Sequence, residues 1–116
     1  MTPEQITAAS VLIAEYMGET IINRHGEPAI KRGNYSTYLR LSTYHTSFDA
    51  QIEVWSKAAH EMRDMLIKID DDCQSQRYYI QLTDRYESAV FTNNKLEGFL
   101  ILEEVIKFIN ANKKSL

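Results

Sequence analysis

From Phe48 to Ile69 the apolar residues Phe48, Ile52, Trp55, Ala59, Met62, Leu66 and Ile69 follow one another at alternating steps of four and three residues. Each such step returns a side chain to the same side of a helix, so the spacing predicts one amphipathic helix over 48–69 with this stripe on its buried face. At the standard rise the helix is ~33 Å long, enough to cross a small sheet diagonally. Thr46 or Ser47 supplies its cap, and Asp49 sits in the first turn, where a carboxylate meets the positive end of the helix dipole.

Two further helices are written at the ends of the chain. Thr2, Pro3 and Gln5 form a capping box with proline at the first helical position, where its missing N–H costs nothing. Ile6, Ala9, Ile13, Tyr16 and Met17 then share one face, and Gly18 supplies a left-handed stop, which predicts a helix over 3–17. Asn94 with Glu97 repeats the capping pattern before Leu96, Phe99, Leu102, Val105, Ile106 and Ile109, the apolar face of a last helix reaching about Asn110. Gly98 costs that helix some propensity.

The remaining segments read as strands. Tyr38 to Leu41 alternates, with Leu39 and Leu41 on one face. Between Glu19 and Tyr44 the turn-prone Asn23 to Gly26 separates Ile21-Ile22 from Ala29-Ile30, a pattern that fits a hairpin and an irregular excursion equally. Tyr78 to Leu82 and Tyr86 to Phe91 are two β-rich runs around Thr83-Asp84-Arg85, which predicts a second hairpin. The expected order is α-β(β)-α-β-β-α. This is an α+β fold with an antiparallel sheet of three to five strands and three helices, a two- or three-layer sandwich forming one domain over 1–116. The alternation in Tyr38–Leu41 and Tyr78–Leu82 suggests one wet sheet face, and the helices are expected mostly on one face, with the basic excursion or the first helix covering the other.

A chain of 116 residues with 44% apolar and 25% charged residues has the make-up of a folded domain and can bury a core without staples. The single cysteine, Cys73, has no internal partner and points to a reducing compartment. Met1 to Gln5 lacks the basic start and apolar stretch of a signal peptide, and no run of about 18 apolar residues occurs. A cytoplasmic protein without membrane association is expected. The net charge of −3 is too mild to draw the whole molecule to nucleic acid. Its distribution is uneven, because Arg24, Lys31, Arg32 and Arg40 face only Glu27 between residues 21 and 45, whereas residues 48–72 are acidic.

No motif carries catalysis. His45 lies beside Ser47 without the geometry-bearing signature of a base and nucleophile, and is expected at a strand end with its ring hydrogen-bonded to the following helix start. Asp70, Asp71 and Asp72 lack the alternating ligands, central glycine and closing glutamate of a calcium loop and are expected simply to end the helix. No catalytic residue, metal site or cofactor is assigned, and the chain leans away from enzymes. The candidate surface is the segment 32–45, where Arg32, Tyr35, Tyr38, Arg40 and Tyr44 interleave cations with aromatic rings. Tyrosine and arginine are the residues in which protein interfaces concentrate their energy, and single-strand nucleic-acid platforms use the same pairing.

Three stretches also carry a resemblance: Ile13-Ala14-Glu15-Tyr16-Met17-Gly18, Tyr44-His45-Thr46-Ser47-Phe48-Asp49, and Asn94 to Asn110. Together they resemble small phage- or prophage-encoded proteins of the phage ABA sandwich type, in which tryptophan usually follows the serine where this chain has Phe48. The resemblance implies a three-layer α/β/α arrangement and a mobile-element origin, and it carries no catalytic residue over. The function expected is that of a non-enzymatic accessory protein binding a host or phage protein or forming a homodimer. The alternative is a small single-stranded nucleic-acid-binding module using segment 32–45.

Overall fold

The computed structural model describes residues 1–24, 26–32, 37–40, 43–69 and 73–113. They form α1 (Pro3–Tyr16), β1 (Thr20–Arg24), β2 (Glu27–Arg32), β3 (Thr37–Arg40), α2 (Thr43–Thr46), α3 (Phe48–Ile69), α4 (Cys73–Phe91) and α5 (Lys95–Lys113). The molecule is therefore mostly helical, and the expected sandwich of a three-to-five-strand sheet under three helices is overturned, as is the three-layer arrangement implied by the resemblance.

The caps stand where the sequence puts them. Thr2 Oγ1 accepts from Gln5 N at 3.2 Å while Gln5 Oε1 accepts from Thr2 N at 2.8 Å, a closed capping box. Gly18 ends α1 with φ +74°, with Gly18 N donating to Glu15 O and Glu19 N to Ala14 O. That pair of bonds is the Schellman arrangement, which satisfies the carbonyls a helix leaves open at its end. The same device ends α4, with Asn93 at φ 56°, Asn93 N donating to Val90 O and Asn94 N to Ala89 O. Asparagine tolerates the left-handed region better than most non-glycine residues. Asn94 Oδ1 then accepts from Glu97 N at 3.1 Å and starts α5.

α5 is the centre of the molecule. Phe99, Ile101, Leu102, Val105, Ile106 and Ile109 are all fully buried, and α1, α2, α3 and α4 all pack against it. A helix apolar around most of its circumference has to be surrounded, because no single layer covers it. The sheet is a small meander of order β1-β2-β3. Ile21 is paired with Ile30, and Ile30 with Leu39. Ile30 is fully buried in the common core, and α1 is the helix packed on β1.

The second hairpin does not exist. Residues 73–91 are one helix, and its buried residues Leu82, Tyr86 and Ala89, with half-buried Tyr79, recur at steps of three, four and three. Tyrosine, isoleucine and valine favour strands only where a pleated neighbour receives them. Here the helical period offers Leu82, Tyr86 and Ala89 a continuous face against the core. Thr83, read as part of a turn, sits mid-helix with its hydroxyl donating to Tyr79 O at 2.9 Å, a common way for threonine to be accommodated there.

α3 has the predicted bounds, but its buried face differs. Gln51, Val54, Ala58, Met62 and Met65 are buried, while Ile52 is 55% exposed and Trp55, Ala59 and Leu66 are half-buried. At ~100° per residue the buried line is turned by about 70° from the predicted stripe. The partner layer explains the turn. α3 lies among α5, α2 and α4 rather than across a sheet, so the line nearest α5 is buried deepest. His45 is likewise corrected: it belongs to α2, its Nδ1 is buried without a hydrogen-bond partner among the described residues, and its ring meets Phe99 edge-on at 5.6 Å. The expected acidic terminus, Asp70 to Asp72, lies outside the described residues.

Candidate interaction surface

One buried polar side chain fixes how α2, α3 and α5 meet. Gln51 is fully buried, and its Nε2 donates to Tyr44 O at 2.7 Å and to Lys95 O at 2.9 Å. Its Oε1 accepts from the Tyr86 hydroxyl at 3.5 Å. Gly98 leaves the space for this: a Cβ there would stand 2.5 Å from Gln51 Oε1 and 3.4 Å from both Phe48 and Tyr86. Burial pushes the Tyr86 phenol up to about 12, so it remains a neutral donor. Trp55 of α3 stacks on Tyr86 of α4 with centroids 4.5 Å apart and planes 9° from parallel.

Two polar clusters hold the remaining helices. Tyr16 donates from its hydroxyl to Glu61 at 2.7 Å, and Lys57 Nζ donates to the Tyr16 carbonyl at 2.6 Å. Lys113 pairs with Glu61 at 3.4 Å. The cluster ties the C-terminal ends of α1 and α5 to α3 and places a cation at the negative end of α1. Burial, with the Glu61 bond added, pushes the Tyr16 phenol far up. Across the molecule Tyr78 donates to Glu104 at 2.9 Å, and Arg85 bridges Glu104 at 3.1 Å and Glu97 at 3.3 Å. Burial and the bond to Glu104 push Tyr78 up to about 12. These groups are consumed in holding helices together, and no nucleophile stands with a base among them.

The outer side of the α3–α4 pair is different. Phe91 is 92% exposed, Ile52 and Ile80 are each 55% exposed, and Val90 is 43% exposed. Ile52 lies one turn before Trp55 and Val90 one turn after Tyr86. Each of these exposed residues therefore stands one turn from a member of the stack on its own helix. Ile80, Asp84, Glu87 and Phe91 recur at steps of four, three and four and so form the outward line of α4. The exposed apolar residues Ile52 on α3 and Val90 and Phe91 on α4 thus flank the edge of the Trp55–Tyr86 stack, whose tyrosine is itself buried.

The residues expected to bind are placed as follows. Arg32 pairs with Thr37, Tyr38 with Lys31, and Arg40 with Ala29 in the β2–β3 ladder, so Arg32 and Tyr38 are not cross-strand partners. Tyr35 lies outside the described residues. Tyr44 is buried at 3% exposure, with its carbonyl accepting from Gln51, and belongs to the core. The apolar surface on α3 and α4 was missed by sequence reasoning for a specific reason. Ile52 was counted into the buried stripe, and Ile80, Val90 and Phe91 were counted into strands. The signal was present in the helical period of 78–91, which leaves Ile80 and Phe91 off the buried line.

Among the described residues no group of three or more His, Cys, Asp or Glu is placed to hold a metal ion. Among the same residues no helix is long and apolar enough to cross a membrane. Among the described residues the fold comprises five helices packed around α5 and one small sheet, with exposed apolar residues on α3 and α4. No family model, no curated protein and no solved structure matches the chain.

Proposed function

We propose that this chain is a non-enzymatic interaction module that holds a protein partner on the outer face of α3 and α4. The observation that carries the reading is Phe91, an aromatic ring 92% exposed at the end of a helix, with Val90 beside it 43% exposed and Ile80 on the same outward line 55% exposed. Single exposed apolar residues are ordinary, whereas several on one side of a helix pair are characteristic of a surface that another molecule covers. The polar clusters support the same reading, since they are spent on joining helices and leave no reacting group. A cytoplasmic setting and a mobile-element origin, both expected from the sequence, belong to this proposal. The alternative, single-stranded nucleic-acid binding, rests on Arg32, Tyr38 and Arg40 sharing the β2–β3 ladder.

The test is site-specific crosslinking. A photoreactive phenylalanine analogue in place of Phe91, expressed in the cells that carry the gene, should yield one discrete crosslinked partner. The same analogue in place of Thr7, exposed on α1, should yield none. Equal, diffuse crosslinking from both positions would refute the assignment of the face.

A further inference from the structure

The charges around this face select the partner, and we infer that it is a basic amphipathic helix, with the inference resting on the interaction reading above. On the outward line of α4, Asp84 and Glu87 stand between the apolar Ile80 and Phe91 and are exposed. Asp49 is exposed on α3, one turn from Ile52. The cation nearest in sequence, Arg85, is turned away to α5, where Glu97 and Glu104 hold its guanidinium at 3.3 and 3.1 Å. α4 has no basic residue in its last turn, so the negative end of its dipole adds to the same field. Lys95, half-buried, gives its backbone carbonyl to Gln51, Arg63 is exposed three turns along α3 from Ile52, and Arg77 lies a turn beyond Ile80, away from the Phe91 end. Around Val90 and Phe91 the surface is therefore apolar with an acidic rim.

That pattern also argues against a second copy of the chain. A two-fold interface sets a patch against itself, and here it would bring Asp84 and Glu87 close to their own counterparts, which costs free energy. A helix with an apolar stripe flanked by lysine or arginine satisfies both features. Its stripe covers Ile52, Val90 and Phe91, and its cations meet Asp49, Asp84 and Glu87. Helices received in this way are read through apolar anchors at i, i+3, i+4 and i+7.

Fluorescence anisotropy with two labelled 18-residue peptides tests the inference. Both carry leucine at helical spacing, one flanked by lysine and the other by glutamate. The full-length chain should bind the leucine–lysine peptide and not its glutamate twin. Phe91→Ser should raise Kd at least tenfold, and the double substitution Asp84→Lys with Glu87→Lys should reverse the preference between the peptides. All three positions are exposed, so unchanged helical circular dichroism is expected for each variant. Equal binding of both peptides by the wild type, binding of neither, or leucine–lysine binding that survives both variants would overturn the inference. So would a wild-type dimer in sedimentation that Phe91→Ser dissociates, because a second copy would then be the occupant. A discrete crosslink from position 91 without peptide binding would retain the interaction module and discard the basic helix.

Discussion

Phe99→Ala should destabilise the protein by about 3 to 5 kcal/mol, the range for removing a fully buried aromatic side chain. Phe99 is completely enclosed in the second turn of α5, the helix against which α1, α2, α3 and α4 all pack. Its ring is met edge-on by His45 at 5.6 Å. Against a total stability of ~5 to 15 kcal/mol for a domain, such a loss removes a large share of it, and at the low end of that range brings the variant to its unfolding midpoint. Urea unfolding of the wild type and the variant measures it. A difference under about 1.5 kcal/mol would move the start of α5 to the surface.

Gln51→Leu should cost about 2 to 4 kcal/mol, although leucine is close in volume and more apolar. The amide donates to Tyr44 O at 2.7 Å and Lys95 O at 2.9 Å, and losing a buried partner costs ~1 to 3 kcal/mol for each polar group left bare. Gly98 provides the internal control. Gly98→Ala in the wild type drives a Cβ to 2.5 Å from Gln51 Oε1. Overpacking of that kind costs about 1 to 3 kcal/mol, partly offset by ~1 kcal/mol of helix propensity. In a Gln51→Ala background the clash is gone, so Gly98→Ala should become neutral or stabilising, and the double-mutant cycle should report coupling well above the scatter of independent sites. Additivity would mean that the two residues do not meet.

What the sequence revealed, and what it concealed, divides along physical lines. Helix ends were legible because their chemistry is local: Thr2, Gly18, Asn94 and the Phe48 start of α3 each depend on residues three or four positions away. The identity of a helix rich in strand-favouring residues was not local. Tyr78, Tyr79, Ile80 and Tyr86 satisfy a strand or a helix, and only the company of α3 and α5 decides. That choice had a second consequence, because reading 78–91 as a hairpin promised α3 a sheet to lie on. With α4 as a helix, α3 meets α5 through Gln51 and Val54 instead, and Ile52 is left outside. The interaction surface was invisible for the same reason, since it consists of the residues that two helices fail to bury. Tyr44 looked like part of a binding strip by its sequence neighbours, yet the turn of α2 takes it into the core.

A backbone amide titration maps the central claim directly. When the leucine–lysine peptide is added to the 15N-labelled chain, the account predicts that the amide signals of Ile52, Ile80, Glu87, Val90 and Phe91 shift together and saturate at one peptide per chain. Those of Thr20–Arg24 and Thr37–Arg40 should stay in place. Shifts concentrated in β1 to β3, with α4 unmoved, would contradict it and transfer the binding face to the sheet.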